Sequence, residues 1–194
     1  MTIDKPQSKQ PIPPNAKKVF EGIIFDVYQW EQKLFDGSVA IFEKLKRPDT
    51  VVVFAVLDDG RIILTEQEQP GKPAFIGGAG GRVEKGEDVL EAVKRELLEE
   101  TGYTASEFVL WQAEQPISKI DWTVYVFVAK GLQKVADLNL DAGEKLKLKF
   151  VSFDEFIDTA LSSDFSEKEI VPQIYQAKLD PKKRAELKKL FSCS

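Results

Sequence analysis

With 194 residues, 43% hydrophobic and 30% charged, and a formal net charge of −5, the chain suits one globular core with additions. No basic run dominates, which argues against nucleic acid as its main partner. The absence of histidine and the single cysteine, Cys193, exclude His-based triads, HExxH zinc sites and an internal disulfide, leaving carboxylates for any acid–base work. The opening stretch MTIDKPQSKQPIPPN lacks the apolar centre of a signal peptide, and the longest apolar run, 51–57, is too short to cross a membrane. These features point to a cytoplasmic protein without a membrane partner.

In chain order, residues 1–16 are rich in Pro, Gln, Lys and Ser and read as a flexible tail. Residues 18–30 alternate apolar and polar types with many β-branched and aromatic side chains, predicting a strand or two. Asp36-Gly37 is a turn signal, and the following SVAIFEKLK completes a hairpin. The run 51–57 predicts a buried strand, turned by Asp58-Asp59-Gly60 into RIILTEQEQ. Gly77, Gly78, Gly80 and Gly81 read as a loop whose backbone can approach a ligand or metal closely. After one helix come strands over 108–113, 122–129 and 146–152. Ser152 and Glu155 form a capping box that opens a helix over 153–161. Further helices are expected over 167–178 and 181–191. No internal repeat and no linker between two domains is visible. The order predicts an α+β fold.

The chemistry gathers at the helix after the glycines. Gly86-Glu87-Asp88 marks its start, where acids are favourable. Val89, Val93 and Leu97, with Leu90 beside them, give a buried stripe, and Gly102 is placed for a left-handed C-cap. Its last turn is electrostatically poor. Glu96 shares a face with Glu99 and Glu100, and acids at a helix C-terminus oppose the dipole. Each effect costs only about 0.2–1 kcal/mol, but all have the same unfavourable sign. A hard divalent cation bound by these oxygens would reverse it. Arg95, four residues after Glu91 and four before Glu99, can neutralise and aim the acids around it.

Gly81, Glu87, Arg95, Glu96, Leu97, Glu99, Glu100, Gly102 and Tyr103 follow the pattern G-x5-E-x7-R-E-U-x-E-E-x-G-U, where U is bulky and apolar. This stretch resembles the Nudix box of the Nudix hydrolases. The resemblance implies an α/β/α sandwich around a mixed sheet, with an N-terminal strand pair and C-terminal helices. It divides the chain into a tail at 1–16, the strand pair at 17–49, a Nudix domain at 50–180 and a helical tail at 181–194. The N-terminal strands and the phrase over 19–56 are similar to the ADP-ribose pyrophosphatase branch, in which such strands take part in a homodimer. In that branch the loop before the box commonly reads Glu-Leu-Pro-Ala-Gly; here those positions are Gly77, Gly78, Ala79, Gly80 and Gly81, without the acid. Gln-Tyr-Arg after the preceding strand is likewise replaced by Gln67-Glu68-Gln69.

The resemblance implies hydrolysis of a nucleoside diphosphate linked to another moiety, ADP-ribose first, with Mg²⁺ or Mn²⁺ as cofactor. Glu96, Glu99, Glu100 and the carbonyl of Gly80 are the implied metal ligands. Arg95 orients Glu99, and Glu144 in a later polar stretch is the candidate base or extra ligand. Glu87 reads as structural support. Arg82, next to the glycines, is the candidate phosphate contact. Nucleotide sugars, dinucleoside polyphosphates and oxidised nucleotides remain alternative substrates, and a non-catalytic metabolite sensor is the alternative of another class. Trp111, Trp122, Phe75 and Tyr125 offer stacking faces but read as core aromatics. The basic, amphipathic segment 180–191 reads as a solvated terminal helix.

Overall fold

Two strands buried on both faces set the architecture. In the computed structural model, which describes residues 3–140 and 145–192, β4 (Thr50–Val56) and β10 (Val124–Lys134) run parallel, in register from Thr50–Val124 to Ala55–Ala129. Their near-continuous apolar runs are what a doubly covered sheet requires. Val52, Phe54, Val126 and Val128 face one cluster, while Val51, Val53, Tyr125 and Phe127 face the other. The helix α1 (Val89–Thr101) covers the second face through Ala92, Val93 and Leu97. On the first face, α2 (Phe153–Thr159), α3 (Val171–Leu179) and α4 (Pro181–Leu190) pack Phe156, Ile174 and Leu187. The expected α/β/α sandwich around a mixed sheet is observed.

The main sheet continues on both sides. β8 (Tyr103–Glu114) pairs antiparallel with β10, and β11 (Lys145–Val151) with β5 (Ile62–Gln69). β4 and β5 meet only at Ala55–Ile63 and Val56–Ile62. They then part, and two short strands enter the gap: β6 (Lys72–Gly77) on β5 and β7 (Ala79–Arg82) on β4. The glycine segment expected as a loop is therefore largely strand. A second sheet of order β1-β2-β3-β9 comprises β1 (Lys17–Glu21), β2 (Asp26–Lys33), β3 (Val39–Lys46) and β9 (Ile120–Asp121). The Asp36-Gly37 turn stands as expected, with Gly37 at φ 87°.

Local signals at the helix ends hold. Asp88 Oδ1 accepts from Leu90 N–H at 2.8 Å, and Gly102 closes α1 in the left-handed region at φ 71°. Ser152 and Glu155 form the capping box of α2. The helix expected over 167–178 begins instead with a single 3₁₀ turn, Lys168–Ile170, before α3. The strands expected over 108–113 and 122–129 are longer, as β8 and β10.

Among the described residues, both terminal segments are tied to the domain. Residues 3–16 carry no helix or strand, yet Lys5 Nζ bonds Asp49 at 2.9 Å and Gln115 donates to the Pro6 carbonyl at 3.1 Å. Buried Lys44 donates to Ser8 Oγ and the Gln10 carbonyl. The helix expected to be a solvated tail buries Leu187 and is followed by buried Phe191, which packs on Trp111, Phe153 and Phe156. Tyr125 is core, and Trp111 packs edge-on against Phe54. No helix among the described residues is long and apolar enough to cross a membrane.

Glu167 is a buried acid close to the sheet. Loss of solvent pushes its carboxyl up to about 7, against smaller opposing effects from Ser166 and Gly78. A carboxyl raised on folding is stabilising while protonated. Its contribution is therefore whole below the ordinary value of 4.5 and falls as pH rises to about 7. Across that window the loss amounts to about 3 kcal/mol. Chemical denaturation of Glu167→Gln from pH 4.5 to 8 should give a flatter stability profile than wild type by that order; parallel profiles would refute the assignment.

Candidate active site

The acidic end of α1 is organised by one guanidinium. Arg95 donates from Nε to Glu87 Oε1 at 2.9 Å and from Nη2 to Glu87 Oε2 at 3.1 Å, a bidentate grip. Its Nη1 reaches Glu96 Oε1 at 2.8 Å and Glu99 Oε2 at 3.1 Å, and Nη2 also donates to the Arg82 carbonyl at 3.1 Å. The hydrogen bonds to Arg95 hold Glu87 below its usual carboxylate range, and those to Glu87 above all raise Arg95 further. Glu87 receives Glu84 N–H as well, at 2.9 Å. It is the anchor that fixes the arginine from outside the helix.

Glu96 shows the opposite balance. Although it pairs with Arg95, its burial wins and raises its carboxyl above the usual value. Glu100 is buried too, and its Oε2 accepts from Gly80 N–H at 2.9 Å. That bond joins β7 to α1. Glu96, Glu99 and Glu100 line one cavity of about 610 Å³, with Gly80, Gly81 and Arg82 opposite. The acids thus meet the glycine strand.

The glycines make that meeting possible. A Cβ at Gly80 would lie 2.3 Å from the Val51 carbonyl oxygen, and one at Gly81 2.3 Å from Glu96 Oε1. Among the described residues no three acids are gathered as a metal cage; Glu96 and Glu99 are turned to Arg95. The donor chemistry nevertheless fits a hard divalent cation. It is all oxygen, and Glu96 is short of compensating charge.

Glu144 lies outside the described residues. The chain shortly before it is held to the end of α1, where Asn139 N–H donates to the Glu99 carbonyl at 2.8 Å. Asn139 and Leu140 also line the cavity. Arg82 is exposed on its rim. Trp122 is only partly buried; its Nε1 bonds Thr50 Oγ1 at 2.9 Å, and the Arg47 guanidinium lies 4.7 Å from its ring centre.

Arg47 was not singled out by the sequence. Its Nε is buried without a partner among the described residues, and burial, with the nearby charge of Arg82, lowers its pKa. The pairing of β7 with β4 places Arg82 opposite Thr50, beside this arginine's segment. Nothing in KRPD distinguishes Arg47 from an ordinary surface cation.

The family profile described as NUDIX domain matches residues 46–174. The chain belongs to the Nudix family. It is 32% identical over 142 residues to the ADP-ribose pyrophosphatase of Bacillus subtilis strain 168, covering 72% of this chain and 77% of that protein. It is 30% identical over 144 residues, with the same coverages, to the methanol dehydrogenase activator of Bacillus methanolicus. The crystal structure of an ADP compounds hydrolase superimposes with a TM-score of 0.69 over 90% of this chain and 96% of that one, at 23% identity. This Nudix pyrophosphohydrolase therefore carries the expected box on the expected fold.

Two glycine substitutions should separate fold from site. Gly80→Ala meets backbone and should cost about 1–3 kcal/mol. Gly81→Ala meets only the end of a side chain, so Glu96 swings aside, the thermal midpoint moves less, and hydrolysis is lost. Thermal denaturation beside turnover measures both; an active Gly81→Ala enzyme would contradict the arrangement.

Proposed function

We propose that this Nudix pyrophosphohydrolase is a metal-dependent ADP-ribose pyrophosphatase, splitting ADP-ribose and water into AMP and ribose 5-phosphate. The observation that carries the reading is the cavity formed by Glu96, Glu99 and Glu100 against the Gly80–Arg82 strand. The name of the Bacillus subtilis relative supports the substrate.

The three glutamates and the Gly80 carbonyl would hold Mg²⁺ or Mn²⁺. Such an ion, when bound, offsets phosphate charge and acidifies a water. The chain's own work is positioning and proton transfer. Glu87 fixes Arg95, Arg95 aims Glu96 and Glu99, and Gly80 N–H fixes Glu100. A carboxylate accepts the proton of the attacking water, with Glu99 and Glu144 the candidates. Water attacks one phosphorus, and the bridging oxygen leaves with the other phosphate. Arg82, on the rim of this cavity, faces the phosphates.

The test is a panel of ADP-ribose, a nucleotide sugar, a dinucleoside polyphosphate and an oxidised nucleoside triphosphate, each with and without Mg²⁺ or Mn²⁺. ADP-ribose should be cleaved best and only with metal. Glu100→Gln should stay folded and lose at least about 100-fold in kcat. Preference for another member would move the substrate. Metal-independent cleavage would refute the ligand set, and binding without any cleavage would favour a sensor.

The N-terminal sheet is the proposed homodimer element. Phe20 on β1 is 59% exposed, Ile41 on β3 is 62% exposed, and Ile23 between β1 and β2 is 98% exposed. Apolar residues so exposed on one sheet suit burial against a second copy. Light scattering should report a dimer for wild type and a monomer for Phe20→Glu combined with Ile41→Glu. A monomeric wild type would end this reading.

A further inference from the structure

The strand carrying the site's glycines is reached by an abrupt change of partner. Gly77 is the last residue of β6 paired with β5, opposite Thr65, and Ala79 is the first of β7 paired with β4, opposite Val53. Gly78 alone makes the crossing. A residue between two ladders loses the partners that a continuous strand would supply. Side chains replace them here. Thr65 Oγ1 lies 3.3 Å from the Gly77 carbonyl and 3.1 Å from that of Gly78, and receives a hydrogen bond from Gln67 Nε2 at 3.0 Å. The N–H of Gly78 is taken by Glu167 Oε2 at 3.2 Å.

Glu167 comes from the other end of the chain, and its segment is fastened to β6. Ile76 forms a parallel bridge with Phe165. The Ile76 N–H donates to the Asp164 carbonyl at 3.0 Å, and Ser166 N–H returns the bond to the Ile76 carbonyl at 2.9 Å. Ser166 Oγ approaches Glu167 Oε1 at 2.5 Å. The carboxylate is thus buried, held on both oxygens and aimed at the crossing.

Position 77 explains why it comes from there. Gly77 is not among the glycines with positive φ, so its backbone suits any residue. Space is what excludes a side chain. A Cβ there would fall 2.2 Å from Ser166 Oγ and 2.5 Å from both oxygens of Glu167.

We propose that Glu167 is a positioning residue of the active site: its carboxylate fills the place of a side chain at position 77 and fixes the β6–β7 crossing that presents Gly80 to Glu100. The proposal rests on the hydrolase reading for its kinetic test, but not for its structural one. Gly80 N–H holds Glu100, and Gly78 lies two residues before it. A crossing left without its acceptor shifts β7 along with that contact.

Four variants test it, with Glu167→Gln keeping an amide oxygen for Gly78 N–H. Glu167→Ala should lower kcat about tenfold or more while leaving KM within about threefold, because a small misplacement costs rate before it costs binding. Glu167→Gln should retain most of the wild-type kcat. Gly77→Glu alone should be damaged by the clash, and Gly77→Glu with Glu167→Ala should recover kcat by returning an acid from the other side. Amide hydrogen exchange at Gly78 and Gly80, read by NMR on each protein without substrate, should quicken in Glu167→Ala and slow again in the other two rescuing forms. Wild-type exchange and kcat in Glu167→Ala would overturn the proposal, as would failure of both Glu167→Gln and the double variant to restore them. Should wild type cleave nothing in the panel, the substrate reading fails while the exchange measurements still decide this one.

Discussion

Arg95 makes the acidic end of α1 tolerable. An arginine has five N–H donors in a rigid fork. Here Nε and both terminal nitrogens are engaged, by Glu87, Glu96, Glu99 and the Arg82 carbonyl. Without that fork, Glu96 and Glu99 would repel one another beside the negative end of the helix dipole. A lysine offers one point charge and no bidentate geometry, so it cannot hold Glu87 and aim two further acids together. The interaction also spans elements. It ties the turn before α1, the helix itself and β7 into one unit.

The sheet supplies the other half of the site by failing to close. β4 and β5 pair over two residues and diverge, and the gap admits β6 and β7. Divergence exposes backbone groups that a complete ladder would satisfy. The inserted strands satisfy most of them, and Thr65 and Glu167 satisfy those at the crossing. β7 then lies close enough to α1 for a backbone N–H to meet Glu100. Helix and strand approach this nearly only because Gly80 and Gly81 carry no side chains.

These two halves differ in how legible they were. The helix half is local. Its acids, its arginine and both caps sit within a few turns, where spacing maps directly onto a shared face, so Asp88, Arg95 and Gly102 stand as the sequence placed them. The strand half is not. Gly77 to Gly81 have the composition of a loop, and all but Gly78 become strand because β5 lends a partner to Gly77 and β4 lends partners to Ala79, Gly80 and Gly81. Propensity has no access to that pairing. Glu167 is separated from Gly78 by 89 residues, and Arg47 is defined by a ring and a charge from other segments. The amphipathic last helix misled in another way, since its many lysines hide the apolar edge carrying Leu187 and followed by Phe191.

The cavity joins walls of opposite character. Glu96, Glu99 and Glu100 line one side, and Arg82 and Lys85, with Glu84 between them, stand on the strand and turn across from them. A diphosphate is attracted by the second wall and repelled by the first. Arg95 does not remove that repulsion, because its donors are committed to Glu87 and a carbonyl as well as to the acids, and Glu96 still suffers from burial. The acids alone would therefore exclude the substrate that the basic residues invite. Positive charge brought to the acidic wall resolves the conflict and supplies the chemistry from the same oxygens. On the proposed reading, the unfavourable clustering at the end of α1 is where a divalent cation would open the cavity to its substrate.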